Sequence, residues 1–111
     1  MNDQEIELTR PEDHETIKRI VTSSLESEKI DYETEKWLDD ESRVDIYYDG
    51  GIVVEIKSSY GVIDESKLTR YENHPQVREV VLAMPEPHTH RVETGDRRVI
   101  PIPREKFTLL L

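Results

Sequence analysis

Two apolar stretches flanking Asp49-Gly50-Gly51 constrain this chain more than any other feature of its sequence. Arg43 to Tyr48 and Ile52 to Ser58 are rich in β-branched and aromatic residues, and the glycines between them supply the positive φ that a tight hairpin needs. Both stretches read as strands of one antiparallel pair. Side chains alternate across a strand. Val44, Ile46, Tyr48, Ile52, Val54 and Ile56 are therefore expected on one face, and Arg43, Asp45, Tyr47, Val53, Glu55 and Lys57 on the other. If the loop has three residues, Tyr48 pairs with Ile52 and Asp45 lies opposite Glu55. If the loop is Gly50-Gly51 alone, Asp45 pairs with Ile56 and the two acids no longer face each other.

Directly opposed residues hold their Cβ atoms about 4.5–5.5 Å apart. Two carboxylates at that range repel unless something neutralises them. A hard divalent cation does so and gains oxygen ligands. Lys57 follows Glu55 by two residues on the same face, where an ammonium can steady charge gathering on a phosphate. The hairpin thus points to a Mg²⁺ or Mn²⁺ site on Asp45 and Glu55, with Lys57 beside it. The bland alternative is a polar surface hairpin with loosely paired charges. Glu-x-Lys spacing is common in a chain that is 36% charged, and Glu65-Ser66-Lys67 repeats it on a presumed helix.

The remaining elements follow from periodicity. Pro11-Glu12-Asp13 opens a helix over about residues 11–29, with Ile17, Ile20, Val21 and Leu25 at helical spacing. Residues 31–38 alternate as a first strand, with Tyr32 and Trp37 as core or dimer contacts. Residues 64–73 form a second helix with Leu68 and Tyr71 inward. Residues 77–84 form an apolar strand, residues 85–98 a polar loop, and residues 99–103 a short strand whose prolines confine it to a sheet edge. The apolar tail 107–111 is expected to dock. The fold class is α/β, in the order α-β-β-β-α-β plus an edge strand, with a mixed central sheet flanked by two helices.

At 111 residues the chain is expected to be one domain. Its hydrophobic fraction of 34% implies a thin core, which leaves room for a homodimer. It has no cysteine, hence no disulfide, thiolate metal site or cysteine nucleophile. No apolar run approaches the ~18 residues of a membrane span, and the acidic N-terminus is no secretory signal. A soluble, cytoplasmic protein is expected. Net charge is −10, and residues 1–49 hold 16 acids against 6 bases. Phosphate binding wants a positive surface, so this balance argues against a nucleic-acid partner unless a local basic patch acts alone.

Arg43-Val44-Asp45-Ile46 followed by Gly51-Ile52-Val53-Val54-Glu55-Ile56-Lys57 resembles the PD-(D/E)xK, or restriction-endonuclease-like, nuclease superfamily. Val44 stands where the family usually has proline. The resemblance covers residues 11–84. It implies an αβββαβ core and metal-dependent hydrolysis of nucleic-acid phosphodiesters, most naturally DNA. Asp45 and Glu55 would hold Mg²⁺ or Mn²⁺, and Lys57 would help activate water. Lys67 and Tyr71 match a helix position that shapes the family's site and contacts substrate. Family members often add an acid or histidine from the first helix. Glu28 would lie roughly 20 Å too far along that helix, so His14 is the expected further ligand, with Asp13 as the alternative. A chain of this length is expected to lack an added domain that reads sequence, and the expected activity is then structure-selective cutting of the kind archaeal junction resolvases perform. Arg91, Arg97, Arg98 and Arg104 form the basic cluster. They serve either as phosphate contacts or as a solvated edge that discourages strand pairing between molecules. His88-Thr89-His90 reads as solvated loop. The rivals to a nuclease are a non-cleaving module on the same fold, binding nucleic acid or protein, and an unrelated interaction domain.

Overall fold

The computed structural model describes residues 14–58, 63–90 and 92–103. Helix α1, His14–Ser27, turns Ile17, Val21 and Leu25 into the core at the spacing its sequence predicts. It closes where Lys29 takes a φ of 60° and the Ile30 N–H donates to Leu25 O at 2.9 Å. Strands β1 (Tyr32–Trp37), β2 (Arg43–Tyr48) and β3 (Ile52–Ile56) follow as an antiparallel meander. Helix α2 (Glu65–Glu72) crosses to β4 (Glu79–Pro85), which runs parallel to β3, and β5 (Val99–Ile102) runs parallel to β4. The result is one mixed five-stranded sheet in the order β1-β2-β3-β4-β5. No helix among the described residues is long and apolar enough to cross a membrane. Asp13, Arg91, Arg104 and the tail 107–111 lie outside the described residues.

The hairpin turn has three residues. Tyr48 pairs with Ile52, and the register continues through Tyr47–Val53 to Ile46–Val54. Gly50 supplies a φ of 65°. Gly51 is needed for closeness rather than for φ: a Cβ there would meet the Cβ of Arg78 at 2.9 Å, and Gly51 O accepts the N–H groups of Arg78 and Glu79. This contact ties the turn to the start of β4.

Adjacent residues of β3 and β4 feed different core clusters, so the helices cover opposite faces. Val54 and Ala83 pack with Ile17, Val21 and Leu25 of α1. Val53, Val80 and Leu82 pack with Leu68 and Tyr71 of α2. Strand β4 lies between β3 and β5 and is buried over nearly its whole length. The Asp64 carboxylate caps α2 by accepting the Lys67 N–H at 3.1 Å.

Three expectations need correction. Val44 does not share a face with Ile46. It packs on the α2 side with Val53, while Ile46 packs on the α1 side. The change falls at the level of Glu35, whose φ is 51° in the middle of β1. The β1–β2 ladder pairs Thr34 with Ile46 and Lys36 with Val44 but skips Glu35 and Asp45 between them. Beyond that point the alternation is shifted. Trp37 does not enter the core: it is 58% exposed, with the Arg43 guanidinium 5.7 Å above its ring, which leaves the dimer contact as the other half of that expectation. The expected polar loop after β4 starts with a 3₁₀ turn, Glu86–His90, and buries His88 and Val92.

Candidate functional site

The β2–β3 pairing ends at Ile46–Val54, and Asp45 and Glu55 are the next residues along. Their side chains take over from the ladder. The Asp45 N–H donates to Glu55 Oε1 at 3.2 Å, and the Ile56 N–H donates to Asp45 Oδ2 at 2.8 Å. Strand β3 stays on β4 here, since the Lys57 N–H donates to Ala83 O at 2.8 Å. The two acids therefore sit where β2 parts from β3, each with one oxygen occupied by a backbone N–H. The second oxygens turn toward basic groups. Asp45 Oδ1 lies 3.4 Å from His14 Nε2 at the start of α1, and Glu55 Oε2 lies 3.2 Å from Lys67 Nζ on α2. The expectation that both acids share one face is therefore corrected: Asp45 leans to the α1 side and Glu55 to the α2 side, and they meet only through the gap between the strands.

Glu55 is only 7% exposed, and among the described residues it is one of four buried polar or charged side chains. Burial pushes its carboxyl up to about 7, the neighbouring Asp45 charge pushes the same way, and Lys67 pulls it back. Burial works against the Lys67 ammonium, but contact with Glu55 outweighs it and leaves its pKa above the ordinary value. Lys67 also lies 5.9 Å from the Tyr71 ring centre. Glu55, Lys57, Asp64 and Lys67 line one cleft of about 200 Å³, whose apolar wall includes Ile63, Leu68 and Leu82. As the side chains stand, no group of three or more His, Asp or Glu residues among those described could hold a metal ion. The hard donors that do gather are the two carboxylates, with the imidazole of His14 against one of them.

Of the residues singled out by sequence, the structure brings Asp45 and Glu55 together at this gap, places His14 against Asp45, and puts Lys57 and Lys67 in the cleft with Glu55. The others fall elsewhere. Tyr71 is 2% exposed, and its hydroxyl donates to Arg43 O at 2.9 Å, so it anchors α2 to β2 instead of facing substrate. Arg97 forms a two-pronged ion pair with Glu72, both contacts at 2.9 Å, and a further contact with Glu65. Arg98 pairs with Glu79 at 3.2 Å. The Arg97 guanidinium is largely buried in these contacts, whereas Arg98 is held by one contact and stays exposed. Sequence reading passed over Glu35, which stands across the β1–β2 register from Asp45, and Lys18, which pairs with it. A left-handed glutamate inside a strand leaves no signal in residue type.

No family model, no curated protein and no solved structure matches this chain.

Proposed function

We propose that this protein is a divalent-metal-dependent nuclease with a restriction-endonuclease-like core, hydrolysing phosphodiester bonds of nucleic acid, with DNA as the first candidate. One observation carries the reading: Asp45 and Glu55 meet where β2 parts from β3, and Glu55 opens into a cleft that Lys57 and Lys67 share. The α-β-β-β-α-β order, the mixed sheet and the helix on each face support it.

The donor set fits Mg²⁺ or Mn²⁺. A buried carboxyl held near 7 beside a second carboxylate lacks positive charge that one ammonium does not fully supply. Oxygen donors of this kind suit hard divalent cations. Asp45 and Glu55 would hold the ion, with His14 the adjacent donor. Once bound, the ion supplies Lewis-acid polarisation of the phosphoryl group and acidifies water. The chain's own residues do the rest. Lys67 favours the ionised form of Glu55. Lys57 brings an ammonium to the cleft, where it would offset the negative charge gathering on the phosphoryl oxygens as water adds, giving its proton to solvent, and as the P–O bond to the leaving oxygen breaks and that oxygen takes up a proton. The hydrogen bonds from Asp45 N–H and Ile56 N–H keep the two carboxylates oriented before substrate arrives.

The acid excess and the internal pairing of Arg97 and Arg98 favour a second reading, a non-cleaving module on the same fold. One experiment separates the two. Supercoiled, linear, single-stranded and branched DNA are incubated with the protein, with and without Mn²⁺, at low and high salt. The nuclease reading expects Mn²⁺-dependent products that vanish in Glu55→Ala while its circular dichroism is unchanged. Cleavage by Glu55→Ala at the wild-type level rules the nuclease out. Absence of both cleavage and Mn²⁺ binding in calorimetry favours the module.

A further inference from the structure

Three non-glycine residues among those described have a positive φ: Lys29, Glu35 and Asp49. Lys29 ends a helix and Asp49 opens the hairpin turn, places where this conformation is ordinary. Glu35 stands inside a strand, where a side-chain-bearing residue is strained. Its side chain is clamped. Lys18 Nζ on α1 lies 2.9 Å from Glu35 Oε1, and Arg43 Nε lies 3.4 Å from Oε2. The consequences are visible on both strands. Glu35 turns to α1 and Lys18, while Lys36 turns away and lies 5.1 Å from the Tyr47 ring centre. Across the ladder, Asp45 turns to His14 on α1, while Val44 moves to the α2 side. Local irregularities in a strand re-aim neighbouring side chains in this way.

We propose that Glu35 is a positioning residue: its left-handed backbone, locked by Lys18 and Arg43, turns Asp45 so that one carboxylate oxygen faces His14 and the other holds the Ile56 N–H. The pose stands on geometry alone; its importance for metal binding rests on the nuclease reading. Valine resists a positive φ, whereas glycine adopts it freely. Glu35→Val should therefore straighten β1, draw Asp45 toward residue 35, and withdraw the Asp45 carboxylate from Ile56, whose N–H lies past the last β2–β3 pair and is then left to solvent.

The test uses the full chain, with urea unfolding to confirm that each variant is folded. Amide hydrogen exchange follows Ile56, with Val54 and Leu82 as controls, and calorimetry follows Mn²⁺ affinity. In Glu35→Val, Ile56 protection is expected to fall while both controls hold, and Mn²⁺ should bind about tenfold or more weakly. Glu35→Gly, which takes the positive φ without strain but loses the carboxylate clamp, should fall between wild type and Glu35→Val in both readouts. Should Glu35→Val not fold, Lys18→Met, which opens the clamp, is expected to move both readouts in the same direction. Unchanged Ile56 protection and unchanged Mn²⁺ affinity in a folded Glu35→Val or Lys18→Met protein overturn the proposal. Should wild type bind no Mn²⁺, the metal reading fails by itself. Ile56 exchange then still decides the positioning role, retained protection overturning it and lost protection supporting it.

Discussion

The carboxylate of Glu55 accepts the backbone N–H of Asp45 at 3.2 Å, and the carboxylate of Asp45 in turn accepts the N–H of Ile56 at 2.8 Å. Two side chains thus satisfy backbone donors that a continuous ladder would pair with carbonyls. The arrangement holds like charges close together at the point where the sheet opens. It is stable only so far as protons, Lys67 or a cation relieve the repulsion, and each of these can be varied separately.

Asp45→Asn removes one of the charges and keeps a carbonyl oxygen for the Ile56 N–H. Without metal, this variant is expected to melt at a higher temperature than wild type, because like charges placed opposite each other are unfavourable. With Mn²⁺ the order should reverse. A ligand at 100 times its Kd stabilises the native state by about 2.7 kcal/mol, and Asp45→Asn should forgo most of that. Scanning calorimetry in EDTA and in Mn²⁺ reads both effects. Equal stabilisation of the two proteins by Mn²⁺ would take Asp45 out of the metal site.

Glu55 makes metal-free stability depend on pH. Its carboxyl is raised from 4.5 to about 7 on folding. Below pH 4.5 it is neutral in both states, and the favourable contribution of the buried neutral form is fully present. As pH rises, the unfolded chain ionises first, so stability falls and the contribution is lost as pH passes 7. The loss is on the order of 3 kcal/mol at most, given 1.36 kcal/mol per pKa unit. Glu55→Gln should abolish this dependence, so its stability relative to wild type grows between pH 5 and pH 8. Urea unfolding at a series of pH values checks the sign; parallel curves for the two proteins would contradict it.

Lys57 and Lys67 share a cleft, yet they are expected to fail differently. Lys67→Met removes the ammonium from Glu55 Oε2, so the pH at which metal-free stability is lost should move upward. Lys57→Met should leave that midpoint alone and lower kcat by about 10²-fold, the scale of losing one preorganised charge at a reacting centre, with Mn²⁺ affinity preserved. Kinetics and calorimetry on the same two variants distinguish the roles. A kcat loss confined to Lys67→Met would exchange them.

Arg97 is held by Glu72 and Glu65 of α2. Arg97→Ala breaks the contacts to Glu72 and Glu65 that fasten the segment before β5 onto α2. The expected cost is about 1 kcal/mol, since both glutamates remain partly in water. DNA affinity and its dependence on salt should not change. A shallower salt dependence in Arg97→Ala would instead place this arginine on phosphate.

Most of the secondary structure is legible along the chain. Period-two alternation marks β2 and β3, the apolar spacing of Ile17, Val21 and Leu25 marks α1, and Asp49-Gly50-Gly51 marks the turn. These signals are local, because each residue's φ and ψ preferences and its side of the strand depend on near neighbours. Once the turn has three residues, Asp45 and Glu55 must come close, and the candidate pair follows. Long-range closure decides the remainder. Lys18 reaches Glu35 across 17 positions, and Arg97 reaches Glu72 and Glu65 across 25 and 32. No residue type announces which of many acids and bases will meet in a chain with 25 of one and 15 of the other. The face change at Glu35 and the exposure of Trp37 arise in the same way. Local pattern sets which elements form and which side chains alternate, but where a charge or ring comes to rest depends on how distant elements pack together.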